Sequence, residues 1–141
     1  MSGSKKVLVI DDDLFFAMRA EATLRKMGYE PKLLGTYPEA LAYARENKLC
    51  LILMSYRKER LQPLELTREL KAHSPKCPIL GYVSHGDIPA MRPLSKAAGC
   101  DLLIANSAFA MRLPQMIQKL APPDGGVPEI GEAELIGTEG E

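Results

Sequence analysis

The feature that most constrains this chain is an alternation repeated five times between residues 7 and 120: a short aliphatic run, then a stretch with helical spacing. Val7-Leu8-Val9-Ile10, Leu51-Ile52-Leu53-Met54, Ile79 to Val83 and Leu102 to Ala105 are unbroken runs, and Pro31 to Leu34 is a weaker one. Unbroken runs suit strands covered on both faces, as in a parallel sheet with helices on either side. The intervening segments carry the other period. Phe16, Ala20, Leu24 and Met27 fall on one helical face, and Gly28 closes it. Thr36-Tyr37-Pro38-Glu39 reads as a capping box opening a helix whose inner face is Ala40, Leu41 and Ala44. Leu64, Leu66 and Leu70 mark a third helix, and Pro75 and Pro78 bracket the turn that follows. A fourth, from about Ile88 to Ala98, contains Pro89 and Pro93, so it should kink or start late. Leu113, Ile117 and Leu120 mark the last, with Pro114 expected in its first turn. Strand–helix alternation of this kind predicts an α/β sandwich, and right-handed crossovers restrict its topology.

The chain's 141 residues suffice for one hydrophobic core. The repeat ends near residue 120, which predicts a domain over 1–120 and an acidic, Pro/Gly-rich tail over 121–141 without a packed core. Charge divides at the same point. Residues 1–120 hold all 18 Lys and Arg against 12 Asp and Glu, a balance of +6, and the tail holds six acids and no base. A solvated tail and a tail lying on the basic body both fit. No apolar run approaches the roughly 20 residues of a membrane span. The first apolar run is too short for a signal-peptide core, so the expected location is cytoplasmic. Cys50, Cys77 and Cys100 lack pairing or metal-ligand spacing and read as small buried hydrophobes.

In open parallel sheets the site lies at the carboxyl ends of the strands. That points to Asp11-Asp12-Asp13, Ser55, Val83-Ser84 and Ala105-Asn106. Carboxylates at a strand end can hold Mg2+, a hard cation that takes oxygen ligands.

Val7-Leu8-Val9-Ile10-Asp11-Asp12-Asp13 resembles the first strand and acidic pocket of bacterial response-regulator receiver domains. The resemblance runs through Leu51-Ile52-Leu53-Met54, Leu64-Glu65-Leu66, Pro78-Ile79-Leu80 and Ala98-Gly99-Cys100-Asp101 to about residue 120. It implies a flavodoxin-like, doubly wound (βα)5 sandwich with a five-stranded parallel sheet in the order 2-1-3-4-5. It also assigns positions. Asp11 and Asp12 match the family's acidic pair. Ser55 stands where the phosphoryl-accepting aspartate would be. Val83, with Ser84 one step on, stands where a Thr or Ser would be. Asn106 stands at the lysine, and Leu103 at the aromatic switch position. Two of five mechanistic positions are kept.

The expectation is therefore a pseudo-receiver: no enzyme, no cofactor, and signalling by protein–protein interaction without phosphorylation. Asp11 and Asp12 then form a relic pocket, with weak Mg2+ binding as the alternative, and their mutual repulsion should hold one proton to higher pH. In the family the face made by the fourth helix, fifth strand and fifth helix commonly binds partners or forms dimers. Here it would include Ile88, Met91, Arg92, Ser95, Phe109, Met111, Arg112 and Gln115, and would take a signalling protein or a second copy. Arg57, Lys58 and Arg60 read as a solvated basic loop. With no aromatic interleaving beside them, nucleic acid is not an expected partner. Two alternatives stay open: a receiver still regulated by a phosphoryl group or Mg2+ at the acidic pocket, and a small Asp-based phosphatase of the haloacid-dehalogenase type, which Asp11-Asp12-Asp13 would also suit.

Overall fold

A computed structural model describes residues 4–57 and 59–120. The expected tail, and Lys58 of the basic cluster, lie outside the described residues. Five strands, β1 (Lys6–Ile10), β2 (Glu30–Leu34), β3 (Leu51–Ser55), β4 (Ile79–Val83) and β5 (Leu102–Ala105), alternate with five helices. These are α1 (Leu14–Lys26), α2 (Tyr37–Glu46), α3 (Pro63–His73), α4 (Ile88–Ala98) and α5 (Asn106–Leu120). The strands pair in parallel in the order β2-β1-β3-β4-β5, as the resemblance implied.

Both faces of the sheet are covered, which is why the strands read as unbroken apolar runs. Alternate residues go opposite ways. Val7 and Val9 of β1 join Leu51 and Leu53 of β3 in a core under α1 and α5, while Leu8 and Ile10 join Ile52 and Met54 under α2, α3 and α4. Each such side chain, fully buried, contributes about 1.5–3 kcal/mol of transfer free energy.

Local signals explain the helix ends. Thr36 Oγ1 accepts the Glu39 N–H at 3.3 Å and donates to the Glu39 carboxylate at 3.0 Å, so Glu39 reaches back to the cap residue. Gly99 ends α4 at φ +113°, with the space a Cβ would need 2.7 Å from Lys71 Cγ. Lys71 in turn pairs with Asp101 at 2.8 Å, and Asp101 accepts the Ile79 N–H at the start of β4. The segment 98–101 thus fastens α4, α3 and β4 together.

Three expectations need adjustment. The third strand runs one residue further, to Ser55. The fourth helix begins at Ile88 after a 3-10 turn (His85–Asp87) and continues through Pro93. The last helix starts at Asn106, directly after β5, and breaks at Arg112 (φ −119°, ψ 15°), so Pro114 falls in the first turn after the break. Strand β2, at one edge of the sheet, carries exposed Glu30 and Lys32 around Pro31. Among the described residues no helix is long and apolar enough to cross a membrane.

Candidate functional site

The carboxyl ends of β1 and β3 meet where the strand order reverses, and the acidic triplet sits there. Its three members do different things. Asp13 is the N-cap of α1: its carboxylate accepts the Phe15 N–H at 3.0 Å and the Phe16 N–H at 3.5 Å. Asp11 is buried. Its Oδ1 accepts the Asp13 N–H at 2.8 Å and its Oδ2 accepts the Tyr82 hydroxyl at 2.7 Å. Asp12 is half-buried, and neither of its oxygens is hydrogen-bonded.

Arg57 enters this pocket from the loop after β3. Its Nη2 donates to Asp13 Oδ2 at 3.0 Å, its Nη1 stands 3.6 Å from Asp11 Oδ2, and its guanidinium lies 4.8 Å from the Phe16 ring centre. Its side chain is 18% exposed, so the expectation of a solvated residue does not hold for it. Arg60 is exposed as expected, but its Nε comes within 2.8 Å of Asp12 Oδ2, close enough for an ion pair though too bent for a hydrogen bond. Each carboxylate of the triplet therefore has a guanidinium within ion-pair distance.

Below the pocket an aromatic stack carries Tyr82. Its ring centre is 4.0 Å from that of Phe109 and 5.7 Å from that of Phe16. The stack fixes the hydroxyl against Asp11.

The titration of the pocket follows from these contacts. Burial pushes the Asp11 carboxyl above the usual carboxylate range, against hydrogen bonds from the Asp13 N–H and Tyr82 and the charge of Arg57. The expected direction holds, but desolvation is the main cause, and Asp13 supplies the smaller like-charge effect. The Asp13 carboxyl is held below the usual range, chiefly by the Arg57 hydrogen bond. Burial raises the Tyr82 phenol, with Asp11 adding to it, so it stays a neutral donor.

The model for the response regulator receiver domain matches residues 7–117. This chain belongs to that family. It is 31% identical over 117 residues to the transcriptional regulatory protein ZraR of Salmonella typhimurium, an alignment covering 83% of this chain and 26% of that one. The chain thus spans about a quarter of the length of the curated relative. Among solved structures it is similar to a CheY-like receiver domain of Methanospirillum hungatei (TM-score 0.73, 22% identity, 82% of this chain and 92% of that one). It is also similar to the receiver domain of the sensor histidine kinase PA1611 of Pseudomonas aeruginosa, crystallised with magnesium in its active-site cleft (TM-score 0.72, 23% identity, 84% and 98%). A receiver domain is a signalling module of two-component systems and acts through signalling partners.

The fold places the other predicted positions of this receiver domain as follows. Ser55 ends β3 and is fully buried, and its Oγ accepts the Arg57 N–H at 3.2 Å. Val83 points into the α2–α4 side of the core. Ser84 lies past the end of β4 and is exposed; the pairing Ser55↔Tyr82 and Val83↔Ala105 keeps it out of the pocket. Asn106 begins α5, with its Oδ1 buried and accepting no hydrogen bond. Leu103 is buried, and its carbonyl accepts from Arg92 Nη2 at 3.3 Å. Ile88, Ser95 and Phe109 are buried and cannot belong to the predicted partner face; helical spacing turns them inward. Met111 and Gln115 are exposed, and Met91, Arg92 and Arg112 are half-buried.

Weak Mg2+ binding at Asp11 and Asp12 is the alternative to a relic pocket. The residues present do not fit a Mg2+ site. Mg2+ demands near-ideal octahedral oxygen ligation at about 2.0–2.1 Å. Both Asp11 oxygens already accept hydrogen bonds, the tip of β3 offers a hydroxyl in place of a carboxylate, and two guanidinium groups lie among the candidate ligands. Among the described residues no group of three or more His, Cys, Asp or Glu is arranged to hold a metal ion.

Tyr82 is the pocket residue that motif reading missed, and Arg57 and Arg60, read there as a solvated loop, reach the carboxylates. A signal existed for Tyr82. A tyrosine in a doubly covered strand needs a polar partner for its hydroxyl, and the acidic strand ends are the nearest supply.

Proposed function

We propose that this receiver domain signals by docking to a protein partner, and that phosphoryl transfer to the tip of β3 plays no part in it. The observation that carries the reading is Ser55: a fully buried hydroxyl, engaged by the Arg57 N–H, at the position where a receiver would present its acceptor carboxylate. A serine hydroxyl is a weak nucleophile without a base to activate it. The buried carboxylate of the pocket, Asp11, is committed to Tyr82, Asp13 and Arg57. Val83 offers no donor to a phosphoryl oxygen, and Asn106 brings no positive charge.

The docking surface this reading favours is the outer side of α4 and α5, which carries Met111, 76% exposed, and Leu94, 51% exposed, with exposed Gln115 and half-buried Arg92 and Arg112. Met and Arg are enriched at protein interfaces. A signalling protein is the partner this reading favours, and a second copy through the same face is the other form it allows.

The test is incubation of the protein with acetyl phosphate, or beryllofluoride, and Mg2+. Unchanged intact mass and unchanged amide resonances at Asp11, Ser55 and Asn106 support the reading. A phosphoryl mass gain overturns it and favours a receiver still regulated by phosphorylation. Met111→Asp combined with Gln115→Glu, at two exposed positions, is expected to abolish partner capture from native extract while leaving the unfolding midpoint in place. Undiminished capture would move the docking face elsewhere.

A further inference from the structure

We propose that Arg57 is the resident cation of the acidic pocket, occupying the space between the carboxylates that a divalent ion would need and excluding that ion. This inference rests on the proposed function and deepens it, because it names what holds the pocket in a single state.

Three observations converge. The Arg57 guanidinium reaches two of the three aspartates, Asp13 at 3.0 Å and Asp11 at 3.6 Å. It is held there by more than charge: it packs over the Phe16 ring, and its backbone N–H is tied to Ser55 Oγ. Its Nη1 is buried and makes no hydrogen bond, so it faces Asp11 as a desolvated positive charge.

A cation approaching Asp11 Oδ2 would come within a few ångströms of this group, in surroundings where like charges repel far more strongly than in water. Arg60 guards the remaining carboxylate, Asp12, from the exposed side. Two guanidinium groups against three carboxylates leave a net charge of −1 at most, a poor lure for a doubly charged ion. Removing the ion's competitor should therefore matter more than restoring its missing ligand.

Mg2+ is titrated into the 141-residue chain in four forms, wild type, Ser55→Asp, Arg57→Met and the double variant, and the amide resonances of residues 11–13 and 55–57 are followed. Wild type and Ser55→Asp are expected to bind Mg2+ only weakly, and Arg57→Met more tightly than Ser55→Asp. The double variant is expected to bind Mg2+ at least about tenfold more tightly than Ser55→Asp, in line with the effect of the groups that surround metal ligands. Equal Mg2+ affinity in Ser55→Asp and the double variant would overturn the role given to Arg57 while leaving the docking reading intact. A mass gain of the wild type with acetyl phosphate would overturn the docking reading itself. Mn2+ added to the wild type at substoichiometric concentration supplies a measurement independent of how the variants fold. Unbroadened pocket resonances are expected, and selective broadening at residues 11–13 would overturn the proposal.

Discussion

Tyr56, directly after β3, and Tyr82 of β4 are neighbours, joined by the Tyr56 N–H donating to the Tyr82 carbonyl at 2.8 Å, yet their side chains enter opposite cores. Both rings are buried, and burial pushes both phenols up. They differ in where the hydroxyl ends. Thr67 Oγ1 donates to the Pro63 carbonyl at 2.7 Å, so the Tyr56 hydroxyl is the donor in its short contact with Thr67. That relay is neutral and terminates on backbone. The Tyr82 hydroxyl terminates on Asp11, a carboxylate shared with Arg57. The α2–α4 side is therefore pinned by neutral groups, while the α1–α5 side is pinned through the charge of the pocket.

The largest expected effect is on the charged side. Tyr82→Ala removes a ring stacked 4.0 Å from Phe109 and leaves Asp11 without its hydroxyl donor. It should lower stability by about 3–5 kcal/mol in urea unfolding, and a much smaller loss would mean that the aromatic stack is not structural. Next is Gly81→Ala. Its Cβ would meet Tyr56 Cε1 at 2.6 Å, and overpacking of this kind costs about 1–3 kcal/mol. Tyr56→Leu in the same chain should recover part of that loss in a double-mutant cycle, and strict additivity would remove the steric explanation.

A finer comparison deletes only the hydroxyls. Tyr82→Phe, which loses a hydrogen bond to a charged group, should cost about 1.5–3 kcal/mol, and Tyr56→Phe about 0.5–1.5 kcal/mol. Equal losses would erase the distinction between the two sides. The smallest effects are in pH dependence, with opposite signs at two neighbouring carboxyls. Asp11 has its folded value raised, so its contribution is present below the unfolded value and is lost as pH rises through the folded one. Asp13 has its folded value lowered, so its contribution is present above the unfolded value and is lost as pH falls through the folded one. In profiles of Tm against pH, Asp11→Asn should remove a decline above the ordinary carboxylate range, and Asp13→Asn should flatten the acid limb. Like effects from both would contradict the division of roles within the triplet.

The alternating runs made the sheet legible because burial on both faces leaves no polar residue to interrupt a strand. Thr36-Tyr37-Pro38-Glu39 and Gly28 marked helix ends through interactions confined to a few consecutive residues. The pocket was legible at Asp11, Asp12 and Ser55, where position along a strand suffices. It was not legible at Arg57, whose role depends on a side chain crossing 44 residues of sequence separation to Asp13. The predicted partner face failed at Ile88, Ser95 and Phe109 for a related reason: membership of a helix does not say which way a residue points, and these three lie on the side turned to the sheet.

The edge strand β2 has one further consequence. A parallel sheet that ends on an open strand exposes a row of backbone donors and acceptors, a template for pairing with another chain. In β2 the ring of Pro31 removes one of those donors, and Glu30 and Lys32 place opposite charges on either side of it. A second molecule laid against this strand would desolvate both charges and meet a gap in its ladder. The edge is thereby a poor template for adding a sixth strand.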